Sequence, residues 1–187
     1  VTMGIISVII IFICICVDNM VSANMTAVNM TKENKSVFSV KMALFFTGFN
    51  VLFFGIGYLI SMIFFRNWVY FAHNWVAFAF LLLLGIKLIL ESIEKSPSFK
   101  DEDVSSMRKL VKVSALIGLN SFLVGYAMET MDRAFFPEVV LLLILTFVLT
   151  LLGSHLGGVH TKNLISKKLE LVAGIILIIM GIRMIII

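Results

Sequence analysis

Hydrophobic positions along this chain run in long stretches that clusters of charged residues interrupt. A transmembrane helix needs about 20 predominantly apolar residues to cross the hydrocarbon core of a bilayer. Six windows of the sequence meet this requirement, near residues 3–30, 38–65, 69–92, 108–129, 138–158 and 169–187. The pattern therefore predicts an all-α integral membrane protein with six transmembrane helices.

The first window also admits a second interpretation, as the apolar segment of a signal peptide. Residues 5–17 would be its hydrophobic region, and Val21, Ser22 and Ala23 would form a small-residue cleavage site. Residues 1–4 carry no positive charge, although a signal peptide normally begins with one. The sequence therefore favours a first segment that stays in the membrane.

Composition agrees with a membrane protein and excludes several other classes. Hydrophobic residues make up 60% of the 187 positions and charged residues 14%, with a mean hydropathy of +1.09. A chain this apolar cannot stay solvated as a disordered protein. The net charge of +4 is too small and scattered to indicate nucleic-acid binding. The expected partner is the lipid bilayer, and no nucleic acid is expected.

Basic residues in the loops predict how the chain is oriented. If the N-terminus lies outside, 11 loop Lys and Arg residues face the cytoplasm, whereas only Arg66 and Arg133 face outward. Cytoplasmic loops carry an excess of Lys and Arg. The distribution thus predicts that both termini lie outside and that residues 94–106 form a cytoplasmic linker. Trp68, Tyr70 and Trp75 would then form an aromatic belt at the outer interface.

The two halves of the chain resemble each other when one is slid over the other. At an offset of 96 the matches are Val76-Ala77 with Val172-Ala173, Leu81 with Leu177, and Gly85-Ile86-Lys87 with Gly181-Ile182-Arg183. At an offset of 102 they are Asp18 with Asn120, Ala23 with Gly125, and Gly55 with Gly157. Chance similarity between apolar helices is the alternative explanation.

Ancestral duplication would make residues 1–93 and 107–187 two repeats of three helices each. An odd number of helices reverses the direction of the second repeat, which gives the inverted topology typical of secondary transporters. Their substrate sites lie near the middle of the membrane, where the repeats meet. This arrangement predicts that Asp18 and Asn120 lie close together.

Polar residues within the predicted spans are the candidates for a transport path, because such residues usually face the bundle interior or a water-filled cavity. They are Asp18, Asn19, Ser22, Thr26, Thr47, Asn50, Lys87, Glu91, Asn120 and Ser121. Carboxylate, carboxamide and hydroxyl oxygens suit a hard divalent cation such as magnesium or manganese. Two alternatives for Lys87 are a local ion pair with Glu91, one helical turn later, and snorkelling toward the interface. Neither a nucleotide-binding motif nor a constellation for covalent catalysis is present, so no enzyme activity is expected.

Several short motifs, in order along the chain, resemble the MntP family of manganese efflux pumps in the LysE-like transporter superfamily. The matching stretches are Val17-Asp18-Asn19, Gly55-Ile56-Gly57, Asn74 to Phe78 with Leu84-Gly85, and Lys167 to Glu170 with Gly174 and Gly181. The resemblance implies a secondary-active exporter in the plasma membrane of a prokaryote, with Mn²⁺ as its substrate and no permanently bound cofactor. The stretch from Ile15 to Asn19 is also similar to the related sporulation membrane protein branch.

The resemblance further implies a metal site formed by Asp18, Asn50 and Asn120, but with altered charge. Members of the family usually carry acidic residues at the positions of Asn50 and Asn120, so only Asp18 is expected to remain from the acidic site. Fewer carboxylates should bind a divalent ion more weakly. Two other functions stay open: a non-transporting membrane protein whose metal site has decayed, and a LysE-like exporter of a small organic solute.

Overall fold

A computed structural model describes residues 5–28, 35–65, 73–93, 107–130, 134–156 and 163–186. Over these ranges the chain forms six α-helices: α1 (Ile5–Val28), α2 (Lys35–Phe65), α3 (His73–Ile93), α4 (Met107–Thr130), α5 (Phe135–Leu156) and α6 (Asn163–Ile186). Each helix overlaps one predicted window. The all-α class is therefore confirmed for the described part of the chain. It follows from the apolar composition, because backbone groups in lipid must find their hydrogen bonds within the structure.

Five of the described helices are long and apolar enough to cross a membrane. Their candidate spans are Ile6–Ala27, Ser36–Ile63, Trp75–Ile93, Leu110–Glu129 and Phe135–Leu156. Helix α6 has a comparable length of 24 residues but carries Lys167, Lys168, Glu170 and Arg183. The chain is thus a multi-pass membrane protein.

Helix packing joins the first three helices to the last three. Helix α2 packs mainly against α4, α3 against α6, and α1 against α5, while α2 and α5 also make an extensive contact. By contrast, α1 and α2 barely touch, although they are neighbours in the sequence. As a result, residues from the two halves meet in the interior of the bundle.

Glycines allow two of these helix pairs to approach closely, as small residues do in membrane proteins. A Cβ atom on Gly57 would lie 2.1 Å from the backbone oxygen of Phe122, and one on Gly153 would lie 2.2 Å from that of Met20. The sequence match of Gly55 with Gly157 does not identify these positions. Gly157 lies outside the described residues, and the glycines with matching contacts, Gly57 and Gly153, are 96 positions apart rather than 102.

Large apolar side chains occupy both the centre and the outer surface of the bundle. Residues from all six helices form the main core, with Phe12, Phe54, Leu84, Met128, Leu142 and Leu177 fully or almost fully buried. Others point outward and are about half exposed, including Leu52, Leu83, Leu116, Ile144 and Ile179. An outer surface of this kind fits a lipid environment. Of the predicted aromatic belt, Trp75 is exposed, whereas Trp68, Tyr70 and the linker 94–106 lie outside the described residues.

Candidate functional site

Buried polar side chains of α1 and α4 meet at the middle of these two helices. Asp18 and Asn120 are 4% and 2% exposed. The Asn120 Nδ2 donates a hydrogen bond of 2.5 Å to the Asp18 Oδ2, across 102 positions of the sequence. The prediction that these two residues lie close together is confirmed. It follows that a carboxylate from one half of the chain and a carboxamide from the other share one site.

Lys87 of α3 reaches the same site with its ammonium group. Its Nζ donates a 3.0 Å hydrogen bond to the Asn120 Oδ1 and lies 3.6 Å from the Asp18 Oδ2. It also lies 3.2 Å from the Glu91 Oε1, one helical turn away on α3. The predicted local ion pair of Lys87 with Glu91 is therefore present, but it is only part of the environment of Lys87.

Asp18 is much less exposed to solvent than the two other charged residues of the site, Lys87 and Glu91. The side chain of Asp18 is 6% exposed, whereas those of Lys87 and Glu91 are 40% and 39% exposed. A carboxylate removed from water needs a close opposite charge or strong hydrogen bonds to offset its desolvation. Lys87 supplies the charge and the buried Asn120 supplies the hydrogen bond, and of these two partners only Lys87 is accessible.

Glu170 of α6 is a further carboxylate that the sequence analysis did not include in the site. It is 4% exposed and lies near enough to Asp18, Glu91 and Lys87 for their charges to affect its ionisation. The expectation that Asp18 alone remains of the acidic site concerned the positions of Asn50 and Asn120 and stays a prediction, and Glu170 is a buried carboxylate outside those positions. One signal was available, since Glu170 lies just inside the predicted window 169–187. Because Glu170 follows Lys167 and Lys168, it has the sequence context of a solvent-exposed residue at the end of a helix.

Asn50 of α2 contacts Ser121 of α4, the residue that follows Asn120. Its Oδ1 accepts a short hydrogen bond from the Ser121 hydroxyl, and its Nδ2 donates to the backbone oxygen of Phe46 at 2.7 Å. These contacts place Asn50 beside the residue that follows Asn120. The observed hydrogen bonds thus engage both ends of its carboxamide with Ser121 and Phe46, and none of them is with Asp18.

The remaining residues of the predicted polar path differ in whether their side chains have hydrogen-bond partners. The Thr26 hydroxyl donates to the backbone oxygen of Ser22 at 2.8 Å and so bonds its own helix. Asn19 is fully buried, and neither of its side-chain polar atoms has a hydrogen-bond partner within the described ranges. The same holds for the hydroxyl of the buried Thr47. Leaving a buried polar group unsatisfied costs about 1–3 kcal/mol, so a polar partner would stabilise the side chain of Asn19, which follows Asp18 on α1.

Two more polar contacts lie elsewhere in the bundle. The Ser61 hydroxyl donates to the Glu129 Oε2 at 2.6 Å between α2 and α4. The Cys16 thiol and the Thr146 hydroxyl are 3.5 Å apart between α1 and α5. No group of three or more His, Cys, Asp or Glu side chains positioned to hold a metal ion occurs in the portion of the chain that the structure describes. The Asp18 site therefore combines the buried carboxylate of Asp18, near the buried carboxylate of Glu170, with the carboxamide of Asn120 and the ammonium of Lys87.

Relatives with similar sequences come from archaea and bacteria. A protein of Methanothermobacter thermautotrophicus named "Putative manganese efflux pump MntP" is 30% identical over 103 residues, which are 55% of this chain and 54% of that relative. The protein of the same name from Acetivibrio thermocellus is 27% identical over 143 residues, 76% of this chain and 71% of the relative.

A longer match extends over almost the whole chain. "Putative manganese efflux pump MntP 2" of Clostridium botulinum strain Hall is 26% identical over 191 aligned positions, covering 97% of this chain and 94% of the relative. No solved structure matches the chain. The sequence profile of the family described as "Mntp: Putative manganese efflux pump" matches residues 33–185, which is most of the chain. The chain therefore belongs to the MntP family.

Proposed function

We propose that this protein is a secondary-active exporter of a divalent cation, most favourably Mn²⁺. The observation that carries the proposal is the buried carboxylate of Asp18, which meets Asn120 at the contact between the two halves of the chain. Ionisable groups within a membrane are costly and commonly mark an ion pathway. Membership of the MntP family supports a metal ion as the substrate.

Asp18 and the Asn120 Oδ1 would be the principal ligands in this proposal. Carboxylate and carboxamide oxygens are ligands that hard divalent cations prefer. Asn19, whose carboxamide is buried without a partner among the described residues, would add a neutral oxygen. Asn50 would contribute only after releasing Ser121 or Phe46.

Alternating access between two inverted three-helix repeats, residues 1–93 and 107–187, is the proposed mechanism. The symmetry of the helix contacts supports it, because exchanging α1 with α4, α2 with α5 and α3 with α6 turns the main contacts into one another. Gly57 and Gly153 support it as well, since they approach Phe122 and Met20, which are 102 positions apart. In the proposal α6 is the sixth transmembrane helix, as the counterpart of α3.

Transport in proteoliposomes provides the direct test. Vesicles that contain the purified protein should move Mn²⁺ down an imposed gradient, while the monovalent ions and the organic solutes of a test panel should not be moved. Protein-free vesicles serve as the control. Failure to move any divalent cation would contradict the proposal, and movement of a small organic solute would favour the LysE-like alternative.

A non-transporting membrane protein is the second candidate function, and the contacts of Lys87 favour it. Its ammonium lies 3.6 Å from Asp18 and offers the carboxylate a permanent partner. An ion pair between this buried carboxylate and the half-exposed lysine compensates the charge of Asp18 without any substrate. In such a protein neither Mn²⁺ binding nor transport should occur, whereas the fold and its stability should depend on both charges.

Replacement of Asn120 by aspartate distinguishes an operating cation site from a structural one. We expect the N120D variant to bind Mn²⁺ more tightly, because a second carboxylate offsets more of the cost of dehydrating the ion. Binding is measured by electron paramagnetic resonance of free Mn²⁺ in a titration of the purified protein. The S114A variant, which removes a buried hydroxyl bonded to its own helix, is the control. Equal affinity of N120D and the parent protein would remove Asn120 from the site.

Labelling of introduced cysteines tests the proposed topology, with both termini outside. In whole cells a membrane-impermeant thiol reagent should leave the D101C variant unmodified and should react with R133C. After permeabilisation, both should react. The native Cys14 and Cys16 are buried and should contribute little background. Modification of D101C in intact cells would show that the linker lies outside and would reverse the orientation.

A further inference from the structure

We propose that Lys87 acts as an internal cation of the transport site. Without substrate its ammonium binds the oxygens of Asp18 and Asn120. The transported ion displaces the ammonium from these oxygens, so that it pairs with Glu91 alone. This inference rests on the proposed function, since it needs a transported cation. It assigns Lys87 a role that neither a local ion pair nor snorkelling would give it.

Lys87 contacts the same oxygen atoms that the proposed substrate would bind. Its Nζ lies 3.0 Å from the Asn120 Oδ1 and 3.6 Å from the Asp18 Oδ2. These are the oxygens that a hard divalent cation would use in the proposed site. The ammonium of Lys87 thus lies where the proposed divalent cation would bind and also carries a positive charge.

The ammonium and a divalent cation cannot bind these oxygens at the same time. A bound cation takes its oxygen ligands at about 2.0–2.6 Å. With Lys87 at its observed distances, two positive charges would lie almost in contact in a buried setting, where repulsion is strong. Binding of the substrate therefore requires that the ammonium move away.

The displaced ammonium has a second carboxylate within reach. The Glu91 Oε1 already lies 3.2 Å from the Lys87 Nζ and belongs to the same helix. Both side chains are about 40% exposed, so the flexible lysine stem can turn without a change in the backbone of α3. Lys87 bridges the buried carboxylate of Asp18 and the accessible carboxylate of Glu91. The ammonium therefore has to move only a short distance, and the movement is reversible.

The movement of Lys87 between Asp18 and Glu91 would weaken the binding of the transported cation and would also assist its release. When Lys87 returns to Asp18 and Asn120, its charge replaces that of the departing cation and keeps the carboxylate compensated. The site is then never left with an isolated buried charge. A protein without this lysine should hold its substrate more tightly and release it more slowly.

Substitution of Lys87 by glutamine tests the inference on the purified protein in nanodiscs and in proteoliposomes. Mn²⁺ binding should tighten by about tenfold or more, since a single charge at this distance shifts a proton equilibrium by about one to three log units. The KM for Mn²⁺ transport should fall, and kcat should fall with it. The Lys87→Arg variant keeps the positive charge and should therefore bind Mn²⁺ about as weakly as the parent protein. Arg183→Gln removes an exposed basic residue at the matching position of α6 and is the control.

The outcomes separate this inference from the proposed function. Measurable binding by the parent protein that is unchanged or weakened in K87Q would overturn the role of Lys87 and leave the exporter intact. Absence of Mn²⁺ binding from both proteins would overturn both proposals.

A second variant keeps the test decisive if K87Q fails to fold. Glu91→Gln removes the place to which the ammonium moves and should weaken Mn²⁺ binding by about two- to fivefold, the range of a half-exposed ion pair. Unchanged or tighter binding in E91Q would overturn the exchange.

Discussion

Replacement of Asp18 by asparagine should abolish Mn²⁺ export while leaving the protein folded. Asparagine keeps the size of the side chain but removes the charge that the proposed site uses to hold a cation. The fold should tolerate the change, because Lys87 retains Glu91 at 3.2 Å and Asn120 at 3.0 Å. Growth of cells at toxic manganese concentrations measures the effect, in a strain where the parent protein confers tolerance.

The matched control for this variant is Glu129→Gln, which also removes a carboxylate charge within a transmembrane helix. Glu129 contacts Ser61 of α2 and is not part of the Asp18 site. E129Q should therefore retain manganese tolerance. Unchanged tolerance in D18N would exclude Asp18 from the mechanism. If the parent protein confers tolerance to no divalent cation, the non-transporting interpretation becomes the better one.

Replacement of Gly57 by alanine should cause the largest loss of stability of any single methyl group added to the bundle. The new Cβ would lie 2.1 Å from the backbone oxygen of Phe122 and 3.1 Å from the backbone nitrogen of Tyr126. Both contacts are with backbone, so no flexible side chain can move aside and α2 must separate from α4. Overpacking of this kind costs about 1–3 kcal/mol and occasionally more. The midpoint of thermal unfolding in detergent, followed by size-exclusion chromatography, should fall accordingly.

Gly48 provides the matched control on the same helix. A Cβ at this position meets nothing within 4 Å, and alanine is the better helix former by about 1 kcal/mol. The G48A variant should therefore be as stable as the parent protein or more stable. Gly153→Ala should be destabilised like G57A, because its Cβ would lie 2.2 Å from the backbone oxygen of Met20. Equal unfolding midpoints for G57A and G48A would contradict the close packing of α2 on α4.

The site was only partly predictable from the sequence. Asp18 and Asn120 could be paired because a sequence match at an offset of 102 predicted their proximity, and the structure shows a hydrogen bond between them. No repeat relates Lys87 to Asp18, and the spacing within α3 pointed only to Glu91. Glu170 was overlooked because it follows two lysines near the start of α6 and resembles a residue of the polar helix end.

The sequence by itself determined the number and approximate limits of the described helices. This is a local property, because an apolar stretch in lipid must satisfy its own backbone hydrogen bonds and is therefore helical. Even so, α6 begins at Asn163, before the predicted window from residue 169, since apolar composition does not show where a helix extends beyond the hydrocarbon.

Only the tertiary structure decided which charges meet. The partners of Lys87 depend on how α1, α3 and α4 are rotated and how closely they pack, and these contacts join positions 33 and 69 residues apart along the chain. Hydropathy carries no information about rotation when apolar residues surround the whole helix, as they do here both in the core and toward lipid. The buried carboxylate and its internal ammonium partner are consequently properties of the packed bundle, although each residue could be read from the sequence.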